Sequence, residues 1–484
     1  MSEENHLSNY VSNVDRDIYS VYNLPEEVIA TVFAYVSRSP KSFRDNLLKV
    51  TEDKAKQFHE KWVLNYGHAS VAELATVHIG IEKVSRLFSA VLERANLYIS
   101  PIEYSQRYQK PKRGDIYIPT ELLESKHETL KEGYINYQNE IYDDYLKIFE
   151  ALLEYHKKNI PPDIDEGEKA YHTRLEKLSF EDARYVLTLA VYTNLGLTAN
   201  ARAMEDTLIK LLSSEYSEVR QRGEEIKKEV TESLPTLVKY ANESHFLTET
   251  RNIINQHLNP SFQKEKTTTI NSVMLTHFTG EEDENPEETA LNIILAETYY
   301  SFENLNMKQS RGKVAEIPYE KKKELFNKLL SPFGSHDNPP PSFEKIIYEA
   351  EFLISESCWH QFLRHRKVDF NWQYPTTTNG YIIPPHVKAV CEELFIESMN
   401  KSFKMSEKLN EVSNLVSHYA VTNAHYRRVA GSFSLWELYH LINLRMTPQA
   451  QWEIKLMIED LVEQVSKYHD SLIQPALERL RRRL

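Results

Sequence analysis

Two stretches of the chain carry residues suited to binding a phosphorylated ligand that contains a ring. The later stretch reads His360-Gln361-Phe362-Leu363-Arg364-His365-Arg366 and leads into Val368-Asp369-Phe370-Asn371. The two guanidinium groups offer forked donors for phosphate, and the imidazole between them can contact the edge of a ring. The alternative is that cations at the end of an apolar helix only complement the helix dipole.

The earlier stretch reads Glu103-Tyr104-Ser105-Gln106-Arg107-Tyr108 and has no basic cluster before it. Alternate residues of a strand face the same side, so Glu103, Ser105 and Arg107 are predicted to share one face. A carboxylate, a hydroxyl and a guanidinium together can bind a sugar hydroxyl and a phosphate. The alternative is a solvated strand face.

Two further groups lie downstream of these stretches. The first group consists of Ala183-Arg184-Tyr185 and a later run that ends in Asn200-Ala201-Arg202. The second group consists of Leu444-Arg445 and Ala450-Gln451-Trp452-Glu453-Ile454. Thr198 or Asn200 could be only the N-cap of a helix. An arginine placed shortly before an apolar helix, as Arg445 is, is usually a surface residue.

Composition restricts the class of protein. The chain has 484 residues, enough for two to three domains, and its 41% hydrophobic and 27% charged content is typical of a globular protein. Its net charge of −13 disfavours non-specific nucleic-acid binding, so no nucleic-acid partner is predicted. Neither a membrane-spanning run nor a signal peptide is evident, and two cysteines, Cys358 and Cys391, fit a reducing compartment, so we expect a cytoplasmic protein with no membrane partner.

The sequence also narrows the choice of cofactor site. No cluster of His and Cys has the spacing of a zinc site, so no metal is predicted. Twelve glycines, and no Gly-x-Gly-x-x-Gly or Walker-type loop, argue against a Rossmann or P-loop nucleotide site. Any nucleotide cofactor must therefore be bound by another arrangement.

Weak internal repeats favour a duplicated chain. Phe33 to Ser37 resembles Glu297 to Ser301, Gly67 to Glu73 resembles Asn338 to Glu344, and Ile116 to Pro119 resembles Tyr381 to Pro384. The three pairs occur in the same order and are 264 to 271 residues apart. The acidic run at 279–288 is typical of a linker, so we predict a first domain at 1–278 and a second at 289–484.

The secondary structure is predicted to be mainly helical. Apolar residues at three-to-four spacing predict helices from Val71 to Val91, Leu130 to Tyr155, about Ile346 to Phe362, and Ile454 up to Pro475. Short strands are predicted at Asn96 to Ser100, Asp115 to Ile118, Val368 to Tyr374 and Tyr381 to Ile383. Helices interrupted by few, short strands indicate an α+β fold.

Taken in order, these segments resemble the flavin-dependent thymidylate synthase family, and the resemblance covers both halves of the chain. The family pattern is Arg-His-Arg, seven residues, then Ser-x-Arg-Tyr, usually with Asn-Glu just before the serine. An Asn-x-Arg follows, and later a Leu-Arg and an Ala-Gln-x-Glu-Ile. The set is highly specific, and it indicates two tandem, fused copies of the family fold, each with a small antiparallel sheet.

Each half departs from the family pattern where the other half matches it. In the first half the Arg-His-Arg position reads Glu93-Arg94-Ala95, or Ala95-Asn96-Leu97 without a gap, and the late arginine falls near Lys210 or Leu211. In the second half Trp372, Tyr374 and Thr376 replace the Glu, Ser and Arg, His418 replaces Arg184, and Ser434-Leu435-Trp436 replaces Asn-x-Arg. Neither half holds a complete site.

The resemblance implies a tetramer of family domains whose nucleotide sites are shared between subunits. In this chain the Glu103 to Arg107 segment and Arg184 would come from one half, and Gln361 to Arg364 with Arg445 from the other. We therefore expect one composite site per chain. Two fused chains would supply four domains, so a homodimer with pseudo-222 symmetry is predicted.

The resemblance also implies the reaction and the residue roles. The expected reaction is reductive methylation of dUMP to dTMP, with FAD as cofactor and with methylenetetrahydrofolate and NADPH as co-substrates. Arg445 would be catalytic. The expected dUMP ligands are Glu103, Ser105, Gln106, Arg107, Arg184, Gln361, Arg364 and Arg445. The expected cofactor ligands are Arg364, His365, Arg366, Asn371, Asn200, Arg202, Ser70 and His68, with His68 also a candidate for receiving the folate.

Two other functions remain open at this point. One is a non-catalytic homologue that binds nucleotide or flavin, and the other is a flavoenzyme of this fold acting on a different pyrimidine nucleotide, with Trp372 and Tyr374 reshaping the pocket. A classical thymidylate synthase is disfavoured because neither cysteine lies in a Pro-Cys-His setting. Ser105 has no evident activating His/Asp pair, so it is interpreted as a phosphate ligand.

Overall fold

The computed structural model describes residues 7–37, 39–65, 69–257 and 272–483. Helices predominate, and the strands form two small antiparallel sheets, so the α+β prediction is confirmed. The α-helices are α1 Glu26–Tyr35, α2 Phe43–Leu47, α3 Glu52–Phe58, α4 Arg86–Ala95, α5 Glu128–Asn159, α6 Glu168–Ala183, α7 Ala201–Leu212, α8 Ser217–Ser233, α9 His245–His257, α10 Pro286–Phe302, α11 Met307–Ala315, α12 Tyr319–Leu330, α13 Glu356–Phe362, α14 Pro385–Val390, α15 Glu392–Asn410, α16 Asn414–Ser417, α17 Leu435–Arg445 and α18 Trp452–Arg483. No helix in these ranges is long and apolar enough to cross a membrane.

The two sheets repeat one arrangement. The strands are β1 Thr76–Ser85, β2 Ser100–Glu103, β3 Tyr192–Asn200, β4 Val273–Phe278, β5 Ile347–Ser355, β6 Asp369–Trp372 and β7 Tyr426–Ser434. The first sheet has the order β1-β3-β2 and the second has the order β4-β5-β7-β6. In each, a long central strand pairs antiparallel with a long strand on one side and a four-residue strand on the other. The second sheet adds β4 at its edge.

Contacts divide the chain into two compact units, and each unit contains one segment from the other half of the sequence. Unit 1 comprises Met1–Asp143, Thr188–Glu265 and Met405–Ala420, and unit 2 comprises Asp144–Leu187, Lys266–Lys404 and Val421–Leu484. Unit 1 holds the first sheet and takes residues 405–420 from the second half of the chain. Unit 2 holds the second sheet and takes residues 144–187 from the first half. Because these units are built from interleaved segments, they do not test the predicted division into sequential domains at 279–288. That division stays a prediction.

A buried hydrogen-bonded cluster in unit 1 fixes the start of α4. The Ser85 hydroxyl accepts from the Phe88 N–H as the N-cap. The Glu218 carboxylate accepts from the Ser85 N–H at 2.9 Å and from the Ser85 hydroxyl at 2.5 Å. Its third donor is the Tyr419 hydroxyl, at 2.9 Å. Tyr419 lies in the segment taken from the second half of the chain, so the exchange supplies a buried contact.

Unit 2 repeats the same cluster with a tyrosine from the first half. Ser355 is the N-cap of α13 and accepts from the Cys358 N–H. Glu453 accepts from the Ser355 N–H at 2.9 Å, from the Ser355 hydroxyl at 2.5 Å and from the Tyr185 hydroxyl at 2.7 Å. The duplication predicted from weak repeats therefore extends to individual hydrogen bonds, and each unit receives its tyrosine through the exchanged segment.

The predicted helix from Val71 to Val91 is correct only from Arg86, where α4 begins. The structure has the 3-10 helix Ala69–Leu74 and then strand β1 before it. The strand bulges between Ile81 and Val84, where Lys83 has a φ of +54°. Val77, Ile81 and Val84 are buried at spacings of four and three, and the spacing of three arises because the bulge adds a residue. That spacing imitates the period of a helix.

The predicted helix from about Ile346 to Phe362 is correct only in its last seven residues, where α13 forms. The preceding residues form β5, in which Tyr348, Ala350, Phe352 and Ile354 are all buried. Such alternation is the signature of a strand, and the apolar residues between these positions concealed it.

Other elements match the predictions to different degrees. The helix from Leu130 to Tyr155 is confirmed as α5, and the strand at Val368 to Tyr374 is confirmed as β6. The strand predicted at Asn96 to Ser100 begins only at its last residue, as β2. The other two predicted strands form single bridges, Ile116 to Val191 and Tyr381 to His425. The last helix continues through Pro475, and its departure from helical geometry is at His469.

Buried His425 is predicted to make unit 2 acid-sensitive. Its Nδ1 accepts from the Thr422 N–H at 3.1 Å, and burial lowers the pKa of the imidazole to about 3. In the unfolded chain His425 binds a proton below about pH 6.5, whereas in the folded protein it stays neutral down to about pH 3. The stability that depends on neutral His425 is therefore complete above about pH 6.5 and is lost as the pH falls toward about 3. At pH 5 the loss amounts to about 2 kcal/mol. Urea midpoints at pH 7.5 and 5.0 should therefore differ less for His425→Gln than for the wild type, and an equal difference would contradict the assignment.

Candidate functional site

The helix that leads to the arginine cluster has its N-terminus anchored in the core. Glu453, which holds the Ser355 cap of α13, is buried, and burial raises the pKa of its carboxyl group. The Glu of the Ala-Gln-x-Glu-Ile segment thus fixes a helix end. Since α13 has only seven residues, fixing its N-terminus also places Gln361 and the residues that follow it.

The arginine cluster places its two arginines and its histidine differently. Arg364 and Arg366 are exposed, whereas the His365 side chain is only 2% exposed. His365 Nδ1 lies 2.8 Å from Glu437 Oε1, and His365 Nε2 accepts from Arg445 Nε at 2.9 Å. Arg445 Nη2 also donates to the Gln361 carbonyl at 3.1 Å. Unit 2 therefore brings together three of the predicted site residues, Gln361, His365 and Arg445.

Burial dominates the electrostatics of this group. It lowers the pKa of His365 to about 3, and the charge of Arg445 acts in the same direction. It raises the pKa of Glu437 to about 7, against the opposing effects of His440 and Lys367. His, Cys, Asp and Glu side chains can bind a metal ion. In the described part of the chain, His365, Glu437 and His440 are the one set of three such side chains whose ligand atoms lie within 4.8 Å of one another. Because Arg445 and Lys367 place cationic charge beside them, a hydrogen-bonded network fits this set better than a metal ion does.

Arg184 lies in unit 2 and the Glu103 segment lies in unit 1; that both contribute to one dUMP site stays a prediction. Its side chain is buried, and its Nε donates to the Glu181 carbonyl at 3.2 Å. Burial raises the pKa of the Cys358 thiol, and Arg445 and Arg184 both oppose that shift. The two arginines therefore act on the same buried sulfur. The sequence could not reveal this grouping, because Arg184 reaches unit 2 only through the exchanged segment.

The start of α18 holds that exchanged segment in place. Gln451 Nε2 donates to the Tyr185 hydroxyl at 2.7 Å, and Gln451 Oε1 accepts from the Glu453 and Ile454 N–H groups. Trp452 stacks on Tyr185 with ring centroids 5.8 Å apart and donates to Asp182 at 3.0 Å. The Ala-Gln-x-Glu-Ile segment therefore binds the part of the chain that carries Arg184 and holds it in unit 2.

In unit 1 the Glu103 segment does not form the predicted continuous strand. Strand β2 ends at Glu103, and residues 106–108 form a turn in which the Tyr108 N–H donates to the Ser105 carbonyl. Glu103 is buried, and its Oε1 contacts Arg86 and accepts from the Ser89 hydroxyl, both at 2.6 Å. Gln106 is buried as well, whereas Ser105 and Arg107 are half-buried. The three side chains therefore do not share a strand face.

Asn200 and Arg202 border an open groove in unit 1. Asn200 ends β3 and is the N-cap of α7, since its Oδ1 accepts from the Ala203 N–H at 2.8 Å. Arg202 Nη1 contacts Glu73 Oε1 at 2.5 Å. The groove has a volume of about 480 Å³, and its lining includes Glu73, Asn96, Tyr98, Asn200, Arg202 and Asp206. An arginine beside a helix N-terminus can bind phosphate, and the carboxylates can bind sugar or amino groups.

The corresponding position in unit 2 carries a different set of contacts. Ser434 is the N-cap of α17 and donates its hydroxyl to Glu344 at 2.6 Å. Lys367 pairs with the same carboxylate, and its Nζ lies 3.6 Å from the centre of the Trp436 ring. Trp436 stands where unit 1 has Arg202, so an aromatic ring and a lysine replace a forked phosphate donor. These contacts make unit 1 the better candidate for binding a nucleotide cofactor.

The remaining predicted ligands are less well defined. Asn371 is exposed on β6, paired with Ala430, and Ser70 is exposed in the 3-10 helix Ala69–Leu74. His68 lies outside the described residues. Sequence reasoning missed Glu437, although its place three residues after a helix cap is a recognisable signal.

The fold and these sites define a duplicated α+β protein with a buried His–Arg network in one unit and a polar groove in the other. Comparison with known proteins gives the family. The Thy1 family, described as thymidylate synthase complementing protein, matches residues 19–236 and 282–469, and the chain belongs to this family.

Relatives of two kinds are similar to the chain. A UPF0159 protein of Chlamydia pneumoniae is 25% identical, covering 96% of this chain and 92% of the relative. A UPF0159 protein of Thermoplasma acidophilum is 23% identical, with 87% and 88% covered. A flavin-dependent thymidylate synthase of Clostridium tetani is 29% identical over 46% of this chain and 83% of its own length. The UPF0159 relatives thus align along most of the chain, and the flavin-dependent thymidylate synthase matches less than half of it.

Proposed function

We propose that the protein is a flavin-dependent thymidylate synthase that converts dUMP to dTMP with methylenetetrahydrofolate and NADPH. The main support is that the two units contain different residues of the family pattern. Unit 2 gathers Gln361, His365 and Arg445 and also contains Arg184, whereas unit 1 keeps the polar groove at Asn200 and Arg202. A protein that had lost its function would have no reason to keep each family element once and in complementary halves.

The groove in unit 1 fits the nucleotide portion of FAD. Arg202, at the N-terminus of α7, suits a pyrophosphate, and Glu73 and Asp206 suit ribose hydroxyls or an adenine amino group. Flavin, when bound, would supply the hydride chemistry that amino-acid side chains lack. Arg364, Arg366 and Asn371 are exposed in unit 2 and are proposed to contact the cofactor as well.

The nucleotide substrate is proposed to draw ligands from both halves of the sequence. The Ser105 hydroxyl oxygen accepts from the Arg107 N–H at 3.3 Å, which leaves the hydroxyl proton to donate to a phosphate oxygen. Arg107 supplies a charged donor beside it. Arg184, Gln361 and Arg364 would complete the contacts, and the proposed single site per chain rests on this complementary sequence pattern.

Arg445 is proposed to act on the uracil ring. A guanidinium remains cationic throughout a catalytic cycle, so it can stabilise negative charge that develops on the ring oxygens. His365 and the Gln361 carbonyl already hold two of its N–H groups. That preorganisation limits the cost of reorienting the group during the reaction.

The test is a spectrum of the purified protein followed by anaerobic reoxidation of its reduced flavin. We expect about one FAD per chain, reoxidation only when dUMP and methylenetetrahydrofolate are both present, and dTMP as product. Bound flavin without dTMP would favour the non-catalytic homologue. Turnover with another pyrimidine nucleotide in place of dUMP would favour the second alternative, and a protein that stays inert after FAD is added would refute the proposal.

Arg202→Ala should weaken FAD binding by about 10- to 100-fold, because a charge-assisted contact to phosphate contributes about 1.5–3 kcal/mol. The matched control is Trp436→Phe, at the corresponding position of the second half, which should leave the FAD affinity unchanged. Fluorescence titration of the apoprotein measures both values. Equal losses in the two variants would contradict the assignment of the groove.

A further inference from the structure

The His365, Glu437 and Arg445 side chains form one continuous hydrogen-bonded chain within unit 2. His365 and Glu437 are each 2% exposed as side chains, and Arg445 is half-buried at the end of α17. The two links measure 2.8 Å and 2.9 Å. Glu437 is held in turn by the helix cap, because its N–H donates to the Ser434 hydroxyl.

The chemistry of the three groups determines where the proton lies. An arginine Nε can only donate, so His365 Nε2 must accept and must carry no proton. The ring proton of neutral His365 then lies on Nδ1, where it faces Glu437 Oε1. A carboxyl oxygen that accepts from Nδ1–H at that position favours this single tautomer. Glu437 thus determines whether His365 can accept from Arg445.

Several charged and titratable groups surround Glu437. Its neighbours His440, Lys367, Glu344 and Arg445 act on it electrostatically. Of these, His440 lies beside the His365 ring with centroids 5.6 Å apart, and Lys367 is paired with Glu344. Among the residues that the structure describes, Glu437 is the hydrogen-bond partner of His365 Nδ1.

The first half of the chain shows that the three residues belong together. Counting from the matched caps, the ten-residue offset from Ser355 to His365 leads from Ser85 to Ala95. The offsets from Ser434 to Glu437 and Arg445 lead from Asn200 to Ala203 and Leu211. All three positions are apolar in the first half. The histidine, the carboxylate and the arginine are therefore all present in one copy and all absent from the other.

We propose that Glu437 is a positioning residue for the proposed reaction, because it fixes His365 in the Nδ1–H tautomer and so holds the guanidinium of Arg445 in one orientation. This inference deepens the proposed function and rests on it for its kinetic consequence. The structural part stands on the geometry of unit 2. Glu437 itself is assigned no contact with substrate or cofactor.

The structural part is tested by NMR of protein labelled with ¹⁵N in histidine, with His365→Gln used to assign the His365 resonances. We expect the Nδ1–H tautomer at pH 7 in the wild type, with no imidazolium between pH 7 and pH 5. A positively charged ring, the Nε2–H tautomer, or a mixture of tautomers would overturn the proposal. This measurement needs no substrate and stays informative if the protein makes no dTMP.

The kinetic part compares Glu437→Leu with Glu437→Gln. Leucine cannot accept from Nδ1–H, so kcat should fall about 10- to 100-fold with little change in the KM for dUMP, and His365 should populate both tautomers. The glutamine carbonyl can still accept, so Glu437→Gln should keep most of kcat. A Glu437→Leu protein that folds and retains the wild-type tautomer and kcat would overturn the proposal. If that variant fails to fold, the wild-type spectrum decides alone.

Discussion

Replacing Arg445 by methionine should lower kcat for dTMP formation by about 10²- to 10³-fold, equivalent to about 3–4 kcal/mol of transition-state stabilisation. Methionine keeps an unbranched stem of similar bulk but removes the charge and all five N–H donors. Its neighbours His365 and Gln361 would lose a donor, but neither would be left with an unpaired charge. Single-turnover reoxidation of reduced flavin under saturating dUMP and folate measures the effect directly.

The control is Arg311→Met, which changes an exposed arginine on α11 and should leave kcat unchanged. A second control tests whether one chain supplies the whole site. Arg107→Ala and Arg445→Met chains, mixed and reassembled, should remain inactive if each site takes both residues from one chain. Recovered activity would show that the sites form between chains. Full activity of Arg445→Met alone would refute the role proposed for this arginine.

Replacing Glu453 by alanine should destabilise unit 2 by about 3–5 kcal/mol. The change leaves three buried donors without their acceptor, namely the Ser355 N–H, the Ser355 hydroxyl and the Tyr185 hydroxyl. A buried donor left unsatisfied costs about 1–3 kcal/mol, and the serine hydroxyl can recover part of its loss by rotating. Urea denaturation followed by tryptophan fluorescence, with limited proteolysis to locate the unfolding, measures the change.

Glu218 provides a matched control because it makes the same three contacts in unit 1. Glu218→Ala should lose similar stability, with the new proteolytic cuts in unit 1. The glutamine variants of the two residues are milder changes, and they separate an effect on activity from an effect on stability. Glu453→Gln should lower dTMP formation more than Glu218→Gln, since α13 leads to His365 whereas α4 ends at Ala95. Equal activities in this pair would argue against α13 as the support of the site.

The sequence was sufficient to predict the family and the duplication, because these depend on residue types at fixed spacing. Arg-His-Arg and Ala-Gln-x-Glu-Ile are recognisable without a structure. The α+β class was also accessible, since α5 and α18 carry long, regular apolar patterns. Predictions of this kind need only local information.

The errors arose where distant residues determine local structure. The bulge at Lys83 gave β1 a helical pattern of burial, and the pairing of β5 with β7 was invisible in its continuous apolar run. The placement of Arg184 in unit 2 depends on an exchange of segments that leaves no mark in the local sequence. Glu437 was missed because its importance comes from a histidine 72 residues earlier.

The exchanged segments have a consequence for how the protein is made. Glu218 leaves the ribosome 201 residues before Tyr419, its last hydrogen-bond donor. At about 5–20 residues per second, the delay is roughly 10–40 s. During that time the Glu218 carboxylate at the start of α8 has Ser85 as a donor but lacks Tyr419. We therefore expect newly made chains to depend on chaperones until almost the whole polypeptide has emerged, a cost that two separately synthesised, freely exchanging subunits would not bear in the same way.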